Sequence, residues 1–105
     1  MSNASKRPSA RRAKRGAASG RDPERLAKTL RPAAVLDCVG LLCPVPVAKT
    51  AEAIEEIPVH GIIEVLADDP AIVLDLPAWC STTRHELLAE VKRGSVYHYF
   101  IRRAR

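Results

Sequence analysis

The chain of 105 residues has no long apolar run. Its longest stretch free of charged side chains, Cys38 to Ala48, is broken by prolines and is far shorter than the roughly 20 apolar residues a spanning helix needs, which excludes a transmembrane protein of the helical kind. A secretory signal is not expected either, since Arg11-Arg12 and Lys14-Arg15 lead into Gly, Ala and Ser rather than an apolar segment. The expected location is the cytoplasm. Cysteine is scarce and odd in number, three in all, with no Cys-x-x-Cys spacing. That argues against a disulfide framework and against a zinc site, which wants closely spaced Cys/His pairs. No internal repeat is visible, aromatic side chains number four, and the length suits a single domain.

Charge is distributed unevenly. Residues 1–32 carry ten Lys/Arg and two acids, a net +8, whereas residues 33–105 carry seven and ten, a net −3, within the overall +5. The basic balance therefore belongs to a tail, residues 1–32, and the domain to residues 33–105. Residues 1–20 contain no large apolar side chain after Met1, and such a segment cannot bury enough surface to offset its ordering entropy, so disorder is expected there. Asp22-Pro23-Glu24 pairs a capping residue with a proline suited to the first helical position, which predicts a short helix from Pro23 to Leu30. A cationic arm of this kind offers a weak nucleic-acid contact through counterion release, and equally serves as a solubilising extension.

The remainder reads as strand, helix, strand, helix, strand, strand. Ala33 to Cys38 is a short apolar run ending at Val39-Gly40. From Pro44 onward Val47, Ala48, Ala51 and Ile54 recur at helical spacing, with Lys49, Glu52, Glu55 and Glu56 opposite. Pro58 and Gly61 stop that helix, and Ile62 to Ala67 supplies a second strand. Asp69-Pro70 starts another helix, with Ile72, Leu76 and Trp79 on one face and Cys80 beside them; Pro77 is expected to kink or restart it. Glu86 to Lys92 and Val96 to Arg103 alternate as strands across an Arg93-Gly94-Ser95 turn. His98, flanked by Tyr97 and Tyr99, reads as part of a solvated face on an edge-like strand. Two helices on one face of a four-stranded mixed sheet bury these stripes best, giving a two-layer βαβαββ sandwich of the α/β class.

Chemistry concentrates at the first of these helices. Gly40-Leu41-Leu42-Cys43-Pro44-Val45-Pro46 sets a cysteine immediately before a helix whose first turn holds two prolines, tolerated there because first-turn amides have no intrahelical acceptor. Unpaired amides and the macrodipole at this point are expected to stabilise a Cys43 thiolate, since helix N-termini lower thiol pKa values. The plainer alternative is that Cys43 only caps and packs. Cys38 and Cys80 read as packing residues, with a resolving-thiol role for Cys38 as the alternative. Asp69 before Pro70 is explained as a cap, and His60 and His85 have no ligand-spaced neighbours.

These residues together are recognisable. Leu36 to Arg103 resembles the TusA/SirA-like family of sulfur carriers, through Leu36-Asp37, Gly40-Leu41, Cys43-Pro44-Val45-Pro46, Ala67-Asp68-Asp69-Pro70-Ala71, Asp75-Leu76-Pro77-Ala78-Trp79-Cys80, His85-Glu86-Leu87 and Ile101-Arg102 in order. The resemblance implies a βαβαββ sandwich and a motif cysteine that accepts sulfane sulfur as a persulfide and hands it on. By that correspondence Cys43 would be the carrier, Pro44 and Pro46 its rigid frame and Gly40 part of the motif; Cys38 and Cys80 are candidate secondary thiols on their own account, Cys38 at a position where the resemblance does not require a cysteine. A sulfur donor protein (a cysteine desulfurase or a rhodanese) and an acceptor protein are implied as partners, and no metal or organic cofactor is. The destination of the sulfur would be tRNA thiolation, a molybdenum cofactor or sulfur oxidation. Many family members serving tRNA thiolation have Arg before the motif cysteine and Glu between the prolines; here those positions are Leu42 and Val45. That departure bears on the acceptor more than on the carrier chemistry. Two other readings stand beside it: a nucleic-acid-binding or regulatory module using the tail, with Cys43 structural, and a thiol-disulfide oxidoreductase using Cys38 and Cys43.

Overall fold

A computed structural model describes residues 22–105. The expected disorder of residues 1–20, and most of the tail to which a nucleic-acid contact was assigned, lie outside the described residues. Contacts divide the chain into Met1–Leu30 and Arg31–Arg105. In the first unit, α1 (Pro23–Thr29) begins as the sequence predicts: the Asp22 carboxylate accepts from the amides of Glu24 at 3.1 Å and Arg25 at 3.4 Å, with Pro23 in the first turn.

The second unit runs β1 (Ala34–Asp37), α2 (Val45–Ala53) with a 3-10 turn at Ile54–Glu56, β2 (Ile62–Ala67), α3 (Ile72–Thr83), β3 (Glu86–Arg93) and β4 (Val96–Arg102). The sheet order is β1-β2-β4-β3. β1 and β2 are parallel, as two strands joined through a helical crossover must be, with Val35 opposite Glu64 and Asp37 opposite Leu66. β4 is antiparallel to both of its neighbours. β3 and β4 are joined by two residues, Gly94-Ser95, and Gly94 takes φ +63°, the left-handed conformation that tight hairpin loops require. A bulge between Leu87 and Ala89 shifts the register of β3.

The expected two-layer sandwich is present. Ile63, Val65 and Ala67 of β2 are buried and alternate with half-buried Ile62, Glu64 and Leu66, so one face of the sheet carries the core. Onto it pack Ile54 at the end of α2, and Ile72, Leu76 and Cys80 at i, i+4 and i+8 of α3, together with Tyr99 and Ile101 of β4. The 0% exposure of Leu76 places it among the most enclosed side chains, worth about 2–3 kcal/mol by the ordinary value of a buried leucine.

Three expectations change. The buried row of α2 is Pro46, Thr50 and Ile54, while Ala48 is exposed. The helix is rotated toward Thr50 because threonine can be buried cheaply here: its hydroxyl donates to the Pro46 carbonyl at 2.8 Å. Pro77 does not restart α3, which is one element from Ile72 to Thr83. The carbonyl that loses its donor is that of Val73, four residues earlier, and Val73 is itself 41% exposed, so water is at hand. Finally, β4 is an interior strand. His98 is not on a solvated edge; its Nδ1 lies 2.8 Å from the Glu64 carboxylate, with both side chains largely covered at 13% and 16% exposure.

Candidate functional site

Cys43 sits in the loop between β1 and α2, directly before Pro44, the N-cap of α2, and the Cys43–Pro44 peptide is cis. It is half-buried, packed against the edge of the core, and flanked by the exposed side chains of Leu42 (72%) and Val45 (41%). The loop turns at Gly40, whose φ of +87° is the left-handed region that favours glycine.

Two aspartates from the segment after β2 tie the loop down. Asp68 accepts from the Gly40 amide at 2.9 Å, and Asp69 accepts from the Cys43 amide at 2.7 Å through Oδ2. The other oxygen of Asp69 accepts from the Ala71 amide at 3.1 Å, ahead of α3. One carboxylate thus bridges the cysteine loop and the approach to α3. Asp37 adds a local turn by accepting from Val39 at 3.0 Å. The parallel pairing of β1 with β2 makes all this possible, because it brings the two strand ends, Asp37 and Leu66, side by side.

The electrostatics are opposite to the sequence expectation. The Cys43 thiol is pushed up from 9.0 to about 11, first by burial and then by the negative carboxylates of Asp75 and Asp69. A helix start fails to compensate because the two prolines that stiffen it also remove donors. Pro44 and Pro46 have no amide hydrogen, Val45 donates to the Leu42 carbonyl at 2.9 Å, and Ala48 to Pro44 at 3.0 Å. The two backbone amides bonded to Asp69 hold its carboxyl below the usual carboxylate range.

The other two thiols lie elsewhere. Cys38, at the end of β1, is 0% exposed, its amide donating to Leu66, and burial raises its pKa. Cys80 is 3% exposed on the inner row of α3, and burial pushes its thiol to about 11. All three cysteines are free. Among them Cys43 alone is accessible without opening the core.

Sequence reasoning singled out Cys43, Gly40, Pro44 and Pro46, which share the loop and the helix start, but missed Asp68, Asp69 and Asp75 as its neighbours. Asp69 was read as a helix cap, whereas the N-cap of α3 is Ala71. A cavity of about 170 Å³ is lined by Val73 of α3, Glu90, Val91 and Lys92 of β3, and Tyr97 and Tyr99 of β4, with Lys92 Nζ 5.4 Å from the Tyr97 ring centre. It falls short of the roughly 300–1,000 Å³ of ordinary small-molecule sites. Tyr99, whose hydroxyl is pushed up to about 12 by burial and then by Glu90, is also near enough to Cys43 to feel its charge.

A two-layer α/β domain that presents one accessible cysteine before a Pro-x-Pro helix start is the arrangement of the sulfur-carrier class, and the chain belongs to the family described as Sulfurtransferase TusA, which matches residues 34–103. Its relatives are particular proteins. The chain is 40% identical over 70 residues to the sulfur carrier protein TusA of Pseudomonas syringae pv. tomato, and 39% identical to that of Pseudomonas savastanoi pv. phaseolicola, each match covering 67% of this chain and 83% of the relative. Among solved structures, a SirA-like protein from Desulfitobacterium hafniense superposes with a TM-score of 0.60 over 69% of this chain and 99% of that one. At 22% identity that likeness supports the fold. Among the described residues no helix is long and apolar enough to cross a membrane.

Proposed function

We propose that the protein is a sulfur-relay carrier that accepts sulfane sulfur on Cys43 and passes it to an acceptor protein. The observation that carries this reading is the placement of Cys43: an accessible sulfur in a loop fixed by Asp68 and Asp69, in a domain whose other two thiols are enclosed. Membership of the TusA family supports it. In the loading step the Cys43 sulfur attacks the outer sulfur of a donor persulfide. The donor S–S bond breaks, an S–S bond to Cys43 forms, and the donor leaves as a thiol carrying the proton that Cys43 gives up. In the unloading step an acceptor thiol attacks the outer sulfur and Cys43 returns to the thiol. Each exchange is redox-neutral and requires only a nucleophile and a docked partner.

The surroundings of Cys43 suit protein partners. Leu42 and Val45, on either side of the Cys43–Pro44 pair, are exposed apolar side chains at 72% and 41%, next to the Asp69 carboxylate that holds the Cys43 amide. Apolar residues rimmed by charge characterise association surfaces. Donor candidates are a cysteine desulfurase or a rhodanese. The oxidoreductase reading finds no support in Cys38, which is enclosed.

The test is intact-protein mass spectrometry after incubation with cysteine, pyridoxal phosphate and a cysteine desulfurase, or with thiosulfate and a rhodanese. A reductant-sensitive gain of one sulfur in wild type, retained in Cys38→Ser and Cys80→Ser and lost in Cys43→Ser, is the expected result. Equal loading of Cys43→Ser overturns the assignment.

A further inference from the structure

The sulfur of Cys43 is carried by a loop with little local backbone structure to hold it. Val39 donates to the Asp37 carboxylate and Leu41 to the Cys38 carbonyl at 3.1 Å, but neither bond reaches the cysteine. Pro44, the N-cap of α2, brings no side-chain cap bond. Among the described residues the Cys43 backbone makes a single hydrogen bond, from its amide to Asp69 Oδ2 at 2.7 Å, across 26 residues of chain.

Asp69 is itself held on the other side. Its Oδ1 accepts from the Ala71 amide at 3.1 Å, and its backbone carbonyl accepts from the amide of Ile72, the first residue of α3, at 3.0 Å. The two ends of the long-range bond also share a local restriction. Cys43 precedes Pro44 and Asp69 precedes Pro70, and a following proline disfavours the helical region, so each backbone has fewer conformations to lose when the bond forms. Asp68 makes a contrasting contact, reaching the Gly40 amide at the turn of the loop and not the cysteine.

We propose that Asp69 is a positioning residue for sulfur transfer, its carboxylate fixing the Cys43 backbone against the approach to α3 so that the sulfur meets a docked partner's persulfide in one orientation. The proposal rests on the carrier reading. In the step it serves, the Cys43 sulfur forms an S–S bond to the donor's outer sulfur, the donor S–S bond breaks, and the proton of Cys43 leaves on the donor thiol; Asp69 exchanges neither proton nor electron. The attacking sulfur must approach along the bond it breaks. A docked protein cannot turn to meet a displaced sulfur, whereas a small persulfide free in solution can, so the contribution of Asp69 belongs to transfer between proteins.

The test compares wild type, Asp69→Ala and Asp69→Asn in single-turnover sulfur transfer from a persulfidated cysteine desulfurase, and in uptake from glutathione persulfide. For Asp69→Ala the rate at saturating desulfurase is expected to fall about tenfold to a hundredfold, the scale of misplacing a reacting atom by up to about 1 Å, with the half-saturating concentration unchanged. Uptake from glutathione persulfide is expected to show no such fall. Asp69→Asn keeps one acceptor oxygen, enough for one of the two amides, and is expected to fall between; it carries the comparison if Asp69→Ala does not fold. A raised half-saturating concentration with the saturating rate unchanged overturns the proposal, since Asp69 would then be a docking contact. Equal slowing with both donors overturns it as well. Amide hydrogen exchange at Cys43 is independent of any sulfur chemistry: it is expected to be faster in Asp69→Ala than in wild type, and equal exchange overturns the proposal. If Cys43→Ser takes up sulfur as well as wild type, the carrier reading falls, while the exchange comparison still decides whether Asp69 holds the loop.

Discussion

The reactivity of Cys43 can be worked out as a function of pH. With its thiol near 11 rather than 9.0, the thiolate present at pH 8 is about one part in a thousand instead of about one part in ten, a deficit of about a hundredfold. Nucleophilicity recovers part of this, because it rises with thiol basicity at a Brønsted slope of about 0.4–0.5; two units return a factor of about 6–10. The net expectation is alkylation at pH 8 about 10–16 times slower than that of an ordinary cysteine in a short peptide. Between pH 7 and pH 10 the rate should climb about tenfold per unit with no plateau. The assay is pulsed iodoacetamide on the native protein, with digestion and fragmentation to distinguish Cys43 from Cys38 and circular dichroism to confirm that the fold persists at each pH. Cys38 and Cys80, at 0% and 3% exposure, should label only as fast as the core opens. A plateau reached below pH 8 would refute the reasoning, since it would mean that the helix start outweighs the two carboxylates.

Four further outcomes are expected. The raised thiol of Cys80 favours the neutral form in the fold, so its contribution to stability is complete below about pH 9 and lost as pH rises through about 11. Urea titrations of wild type against Cys80→Ala should differ in that window by about 1–2 kcal/mol, after allowance for screening. Leu76→Ala removes a side chain with 0% exposure beneath α3 and should cost about 2–5 kcal/mol, a fall in Tm of about 8 °C or more by calorimetry. At Gly40 an added Cβ meets nothing within 4 Å, so Gly40→Ala should cost only the strain of φ +87°, about 1–2 kcal/mol, and Gly40→Asn less, both read by thermal melts. Leu42→Arg places a cation beside the sulfur on an exposed position and should shift the Cys43 alkylation profile down by about one unit in low salt, an effect that fades as salt is added.

Local features of this chain were legible in its sequence, and features depending on which strands become neighbours were not. The alternation of β2, the i, i+4 spacing of Ile72 and Leu76, the Asp22 cap and the position of Cys43 before a proline-rich helix start all follow from residues within a few places of one another. The failures are instructive in the same terms. His98 looked exposed because Val96–Arg102 is the last strand, yet β4 inserts between β2 and β3 and carries His98 to Glu64. Ala48 fitted an apolar stripe, but the helix turned by the hydroxyl-satisfied Thr50 leaves it outside. The thiolate expectation counted the dipole of α2 and overlooked that prolines at its start have no amide to offer. It also lacked Asp69, which follows β2 and reaches the Cys43 amide because β1 and β2 pair in parallel.

The anchoring of the Cys43 amide by a carboxylate 26 residues downstream bears on the order in which the chain is made. As synthesis proceeds from the N-terminus, the cysteine emerges well before Asp69 and Asp75, and until they arrive its sulfur has the reactivity of any thiol in an unstructured peptide. Folding does not switch this group on; it quiets it. A truncated or unfolded copy displays the same Cys-Pro-Val-Pro stretch but neither holds it in place nor restrains its proton, so the motif alone cannot be transplanted as a peptide and keep the behaviour of the domain.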